Sequence, residues 1–150
     1  MATTTTAASD ATVELTTMAG GTVLASLTVP GHPEQVVGVR RFVRRMVGDA
    51  SPMADTAVLL VSELATNAVL HSASGQPGGS ATVLITEIGG GIRVEVADEG
   101  SDQSAPAVRG DIYASEGHGL FLVQSLADQW GYVRDETGTT VWFWLSYPAA

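Results

Sequence analysis

Residues 51–71, SPMADTAVLLVSELATNAVLH, constrain the fold of this chain more than any other stretch. Apolar residues recur here at helical spacing, and a segment of this length reads as a helix rather than a strand. The predicted helix runs from Ser51 to His71, with Ser51 as N-cap and Pro52 at the first helical position, where a missing N–H costs nothing. On a helical wheel Ala57, Val58, Val61, Leu64, Ala65, Ala68 and Val69 form a broad core face. Leu59, Leu60 and Leu70 flank a stripe of Glu63, Asn67 and His71, spaced four residues apart. Each step along that stripe climbs about 6 Å. A carboxylate and an amide between apolar neighbours lose about 2 kcal/mol or more to desolvation unless they find partners. Two readings stay open from spacing alone: bonds to a neighbouring loop, or the lining of a functional cleft.

Composition narrows the chemistry. A chain of 150 residues suits one domain with a real core. With no cysteine there is no disulfide, thiolate nucleophile or cysteine zinc site. All 7 basic residues are arginine, which excludes a P-loop lysine, the strand lysine of a eukaryotic-type kinase and Schiff-base chemistry. The net charge of −9 argues against direct nucleic-acid binding. No apolar run approaches the ~18 residues of a membrane span, and the start lacks the pattern of a signal peptide, so a soluble, cytoplasmic protein is expected, with no membrane contact.

Residues 1–20, rich in Thr and Ala without apolar periodicity, read as a disordered tail preceding a domain over 21–150. Within that domain the expected order is a strand Val23–Val29, a helix Glu34–Val47, the long helix, and strands Ala81–Ile88 and Ile92–Ala97 around Gly89-Gly90-Gly91. An irregular stretch Asp98–Glu116 follows, then a helix Gly117–Gln129 and a closing hairpin of Trp130–Arg134 and Thr139–Tyr147. Dominant hairpins predict an α+β two-layer sandwich, with a mixed, mostly antiparallel sheet and the helices on one face. Arg40, Arg41, Arg44 and Arg45 concentrate positive charge on the first helix, either as a solvated face or as a docking surface for an acidic partner.

Three glycine-bearing stretches accompany the long helix: Asp98-Glu99-Gly100 after a strand, Gly117-His118-Gly119-Leu120 opening a helix, and Gly138-Thr139-Thr140-Val141 entering a strand. A helix opening suits a phosphate, because its N–H groups and dipole point there. Together and in this order, LLVSELATNAVLH, VEVADEG, GHGLFLV and GTTVWF resemble the N box, glycine boxes and last motif of the Bergerat-type (histidine-kinase-like) ATP-binding fold. VRRFV and SLADQWGY make the chain most similar to the small bacterial anti-sigma-factor serine/threonine protein kinases, over about residues 23–147.

That resemblance implies Mg²⁺ and ATP as cofactors, with Asn67 offering its oxygen to the metal and Glu63 acting as general base toward the hydroxyl that attacks the γ-phosphate. It also implies that Asp98 accepts from the adenine amino group and that Gly100 clears room for the ring. Gly117, His118, Gly119 and Leu120 would meet the phosphates, Thr139 would add a hydroxyl on the adenine side, and Asp102–Glu116 would form a lid. Implied partners are a STAS-domain anti-anti-sigma protein, a sigma factor and a second copy of the chain. Asp102 replaces a frequent glycine and His118 a frequent arginine of such proteins. An ATP-binding switch without productive transfer therefore stands as the alternative to a kinase.

Overall fold

The computed structural model describes residues 2–8, 11–17, 23–71, 79–98, 118–136 and 138–148. Among the described residues seven strands form one sheet: β1 (Ala2–Ala8), β2 (Ala11–Thr17), β3 (Val23–Pro30), β4 (Ser80–Ile88), β5 (Gly91–Asp98), β6 (Gln129–Asp135) and β7 (Gly138–Ser146). Their spatial order is β1-β2-β3-β4-β5-β7-β6. The helices among the described residues are α1 (Val36–Val47, after a 3-10 turn at Pro33–Gln35), α2 (Ala54–His71) and α3 (His118–Leu126).

Alternation along the strands creates the core. Leu27 pairs with Val83 and Val83 with Val96, while Ile85 pairs with Val94 and Val94 with Phe143, so one side of the sheet is apolar across four strands. These residues join Val39, Phe42 and Val43 of α1, Leu60, Val61 and Leu64 of α2, and Leu120 and Val123 of α3 in one buried cluster. Each fully buried aliphatic side chain contributes about 1.5–3 kcal/mol. The helices thus share one face, as the sandwich requires. On the other face Leu84, Arg93, Glu95, Trp142 and Trp144 are half-buried, with the Arg93 guanidinium 4.3 Å from the Trp142 ring centroid.

Several sequence expectations need correction. Among the described residues every strand pairing is antiparallel rather than mixed, because β7 turns back from β6 and inserts beside β5. The expected tail over 1–20 instead supplies β1 and β2, which pair with each other and then with β3. Threonine is β-branched and suits a strand, and β3 would otherwise present an open edge. Helix α2 starts at Ala54, not Ser51. The Ala54 N–H donates to the Ser51 carbonyl at 3.1 Å and the Met53 N–H to Ser51 Oγ at 3.4 Å, so Ser51 organises a tight turn leading into the helix. Helix α3 ends at Leu126, short of Gln129. The sheet captures the following residues: the Asp128 N–H donates to the Trp144 carbonyl at 3.1 Å, and Asp128 Oδ2 accepts from the Ser146 N–H at 2.8 Å.

The β4–β5 hairpin shows two uses of glycine. Gly89 and Gly90 have φ of 62° and 77°, the pair of positive values that a tight two-residue hairpin loop demands. Gly91 is needed for space: a Cβ there would run into the Leu145 carbonyl oxygen and come within 2.8 Å of the Trp144 ring. Gly91→Ala should therefore destabilise the fold by about 2 kcal/mol, the scale of overpacking against backbone. A denaturant midpoint equal to wild type would refute that close approach.

Candidate functional site

Chain direction gathers the site at one end of the sandwich. Helix α2 leads to Ser80 at the start of β4, and Ser80 pairs with Pro30, at the end of the sheet where β5 finishes at Asp98. Asn67 lies one turn before the end of α2, so it is carried toward that end. Helix α3 passes into β6 at Gln129, at the opposite end of the sheet, which leaves its first turn directed back toward Asp98.

On α2, Glu63 and Asn67 are half-buried, between Leu60, Leu64 and Ala68, which are buried. Neither side chain has a hydrogen-bond partner among the described residues. Leu60 is part of the core rather than a flank of the stripe, while Leu59 is 42% exposed. Leu60 joins the cluster that the sheet and the helices share. Val58 is half-buried.

Asp98 continues the inward parity of Val94 and Val96, so the apolar row on the sheet ends in a carboxylate on the helix side. Its partner across the ladder is Thr139, which is buried. The Thr139 N–H donates to Asp98 Oδ1 at 3.3 Å, and this bond helps to orient the carboxylate. At the start of α3 the backbone of His118, Gly119 and Leu120 forms the first turn. The Leu120 side chain is in the core, leaving its backbone as the part that could serve a ligand. Gly100, Gly117, Asp102 and the remainder of the predicted lid lie outside the described residues, as do the side chains of Leu70, His71 and His118.

Sequence reasoning passed over Arg134. It sits opposite Thr139 in the ladder, on the face shared with Trp130 and Tyr132, and so brings a cation to the row that contains Asp98. The signal was available in the alternation of Trp130, Tyr132 and Arg134 along β6.

No group of three or more His, Cys, Asp or Glu able to hold a metal occurs among the described residues. A half-buried amide oxygen is still a fit ligand for Mg²⁺, which takes one or two protein oxygens and fills its other positions with phosphate and water. Asn67 meets that requirement, being without a protein partner among the described residues.

No curated protein sequence matches the chain. The family model described as the histidine kinase-like ATPase domain matches residues 29–145. That span runs from the end of β3 to the end of β7 and contains Glu63, Asn67, Asp98 and Thr139. With an α+β sandwich of the architecture such ATP-binding domains share, and a match over most of its length, the chain belongs to the histidine kinase-like ATPase domain family.

Proposed function

We propose that this protein is a nucleotide-dependent regulatory switch, which binds Mg·ATP at the end of the sandwich and changes its hold on a protein partner accordingly. The observation that carries the reading is the pair Glu63 and Asn67, half-buried and without partners among the described residues, on a helix leading to the same end as Asp98. Asp98 suits an adenine amino group, whereas guanine would present a carbonyl to it. Asn67 would hold Mg²⁺, which would supply charge neutralisation to the phosphates. Asn67→Ala should accordingly weaken ATP in the presence of Mg²⁺ about tenfold and nearly abolish the difference between titrations with and without the metal. Equal Mg²⁺ dependence in the two proteins would remove Asn67 from the metal site.

Glu63 favours a second reading, in which the switch is also a serine/threonine protein kinase. In that step the acceptor hydroxyl oxygen bonds to the γ-phosphorus as the bond from phosphorus to the β,γ-bridging oxygen breaks. ADP departs, and the hydroxyl proton passes to the Glu63 carboxylate. The acceptor would be a STAS-domain anti-anti-sigma protein, and a sigma factor would be the alternative partner of a cytoplasmic homodimer. Incubation with γ-labelled ATP and STAS proteins of the host separates the two readings. Label on a STAS serine or threonine establishes the kinase; ATP-dependent binding without label leaves the switch.

The arginines of α1 divide by role. Arg44 is held by Asp49 at 3.2 Å and Asp55 at 3.1 Å, and those two carboxylates raise its pKa. Arg41 and Arg45 are exposed and have no ion pair among the described residues, which suits them to an acidic partner. Joint replacement, Arg41→Glu with Arg45→Glu, should slow association with that partner and flatten its salt dependence, measured by stopped flow. Unchanged rates would return these two residues to a solvated face.

A further inference from the structure

Helices α1 and α2 are tied at two levels. Arg44 reaches Asp55 at the start of α2, and Arg40, one turn earlier on α1, reaches Ser62 two turns further along α2. The pairings run in opposite directions along the two helices, as in an antiparallel helix pair. They differ in setting. The Arg44 contact lies in solvent, with Asp55 92% exposed, whereas Arg40 Nε donates to the buried Ser62 Oγ at 2.9 Å. Arg40 itself is exposed, so it joins the surface of α1 to the interior of α2.

Ser62 immediately precedes Glu63. A serine inside a helix can turn its hydroxyl back onto the carbonyl four residues earlier, which bends the helix. A charged donor that occupies the Ser62 oxygen restrains its rotamer and the turn around it. That turn sets the direction in which Glu63 leaves the backbone. Glu63 has no side-chain partner of its own among the described residues.

We propose that Arg40 is a positioning residue for Glu63, acting through Ser62. The inference rests on the reading of Glu63 as general base, and it adds an outer contact to that base. Without the contact Glu63 is still present, but it spends less time where an acceptor proton can be taken, so turnover falls while nucleotide binding does not. General-base geometry is demanding enough for this to matter.

The test uses the full chain as wild type, Arg40→Ala, Ser62→Ala, the double variant and Ser62→Thr, each checked for a cooperative melt. Three quantities are read: Mg·ATP affinity by calorimetry, kcat and KM for release of phosphate from ATP with water as acceptor, and the NMR resonance of the Glu63 side-chain carboxyl carbon. Arg40→Ala and Ser62→Ala should each lower kcat about tenfold with affinity and KM within about threefold, and the double variant should fall no further. Ser62→Thr, which keeps the acceptor oxygen, should retain most of kcat. The Glu63 resonance should be displaced alike in both single variants and the double. Multiplicative losses in the double variant, or a Glu63 resonance unmoved by Arg40→Ala, would overturn the proposal. If the wild type binds ATP but releases no phosphate, the general-base reading fails, and the resonance still decides whether Arg40 positions the Glu63 carboxylate.

Discussion

Glu63→Ala is expected to bind Mg·ATP within about threefold of wild type and to lose phosphoryl transfer by ~10² or more, the scale for a general base. The asymmetry follows from when the residue acts. A base takes its proton as the acceptor attacks, so its removal raises the barrier without removing a ground-state contact. Glu63 is half-buried, and no protein partner among the described residues depends on it, so its truncation leaves no donor stranded there. Deleting a carboxylate near a triphosphate also relieves like-charge repulsion. Quench-flow transfer to a STAS acceptor, paired with calorimetry on the same preparation, reads both quantities. Wild-type transfer by Glu63→Ala would end the kinase reading, whereas a parallel loss of affinity and transfer would make Glu63 a binding residue.

Asp98→Asn should weaken ATP by roughly 10–100-fold, the cost of exchanging a charge-assisted acceptor for one that can present the wrong group. Asp98 is oriented by the Thr139 N–H, which donates to Oδ1. An asparagine that keeps that bond turns its oxygen toward Thr139 and its amino group toward the ligand, where an adenine amino donor meets another donor. The ladder contact thus makes the substitution more severe than exchange of a freely rotating carboxylate. Fluorescence or calorimetric titration would show it, with an unchanged melting temperature as the control for folding. Affinity equal to wild type would mean that Asp98 serves the β5–β7 ladder alone.

Where the chain alternates or repeats strongly, its fold was legible. The hairpins β4–β5 and β6–β7 and the long helix α2 are signalled by periodicity and by glycines in tight loops. Asp98 stood out in the sequence as an acid at the end of a strand beside Gly100, whereas its place on the inward row after Val94 and Val96 came only with the structure, because the predicted strand stopped at Ala97. Strands β1 and β2 were not, because threonine carries strand preference without an apolar alternation, and what they pair with is known only once β3 is in place. Leu59 and Leu60 could not be separated on a helix that is apolar nearly all round; tertiary packing made Leu60 core and left Leu59 42% exposed. Nor could spacing divide the four arginines, since Ser62 and Asp55, which engage Arg40 and Arg44, come from another helix.

One calorimetric comparison directly tests adenine recognition by Asp98 beside Glu63 and Asn67, which have no side-chain partner among the described residues. Wild-type protein titrated with ATP and, separately, with GTP, both with Mg²⁺, should bind ATP at least about tenfold more tightly, because a site built to accept from an amino group leaves its carboxylate facing a carbonyl when guanine enters. Equal affinity for the two nucleotides, or no heat with either, would contradict it.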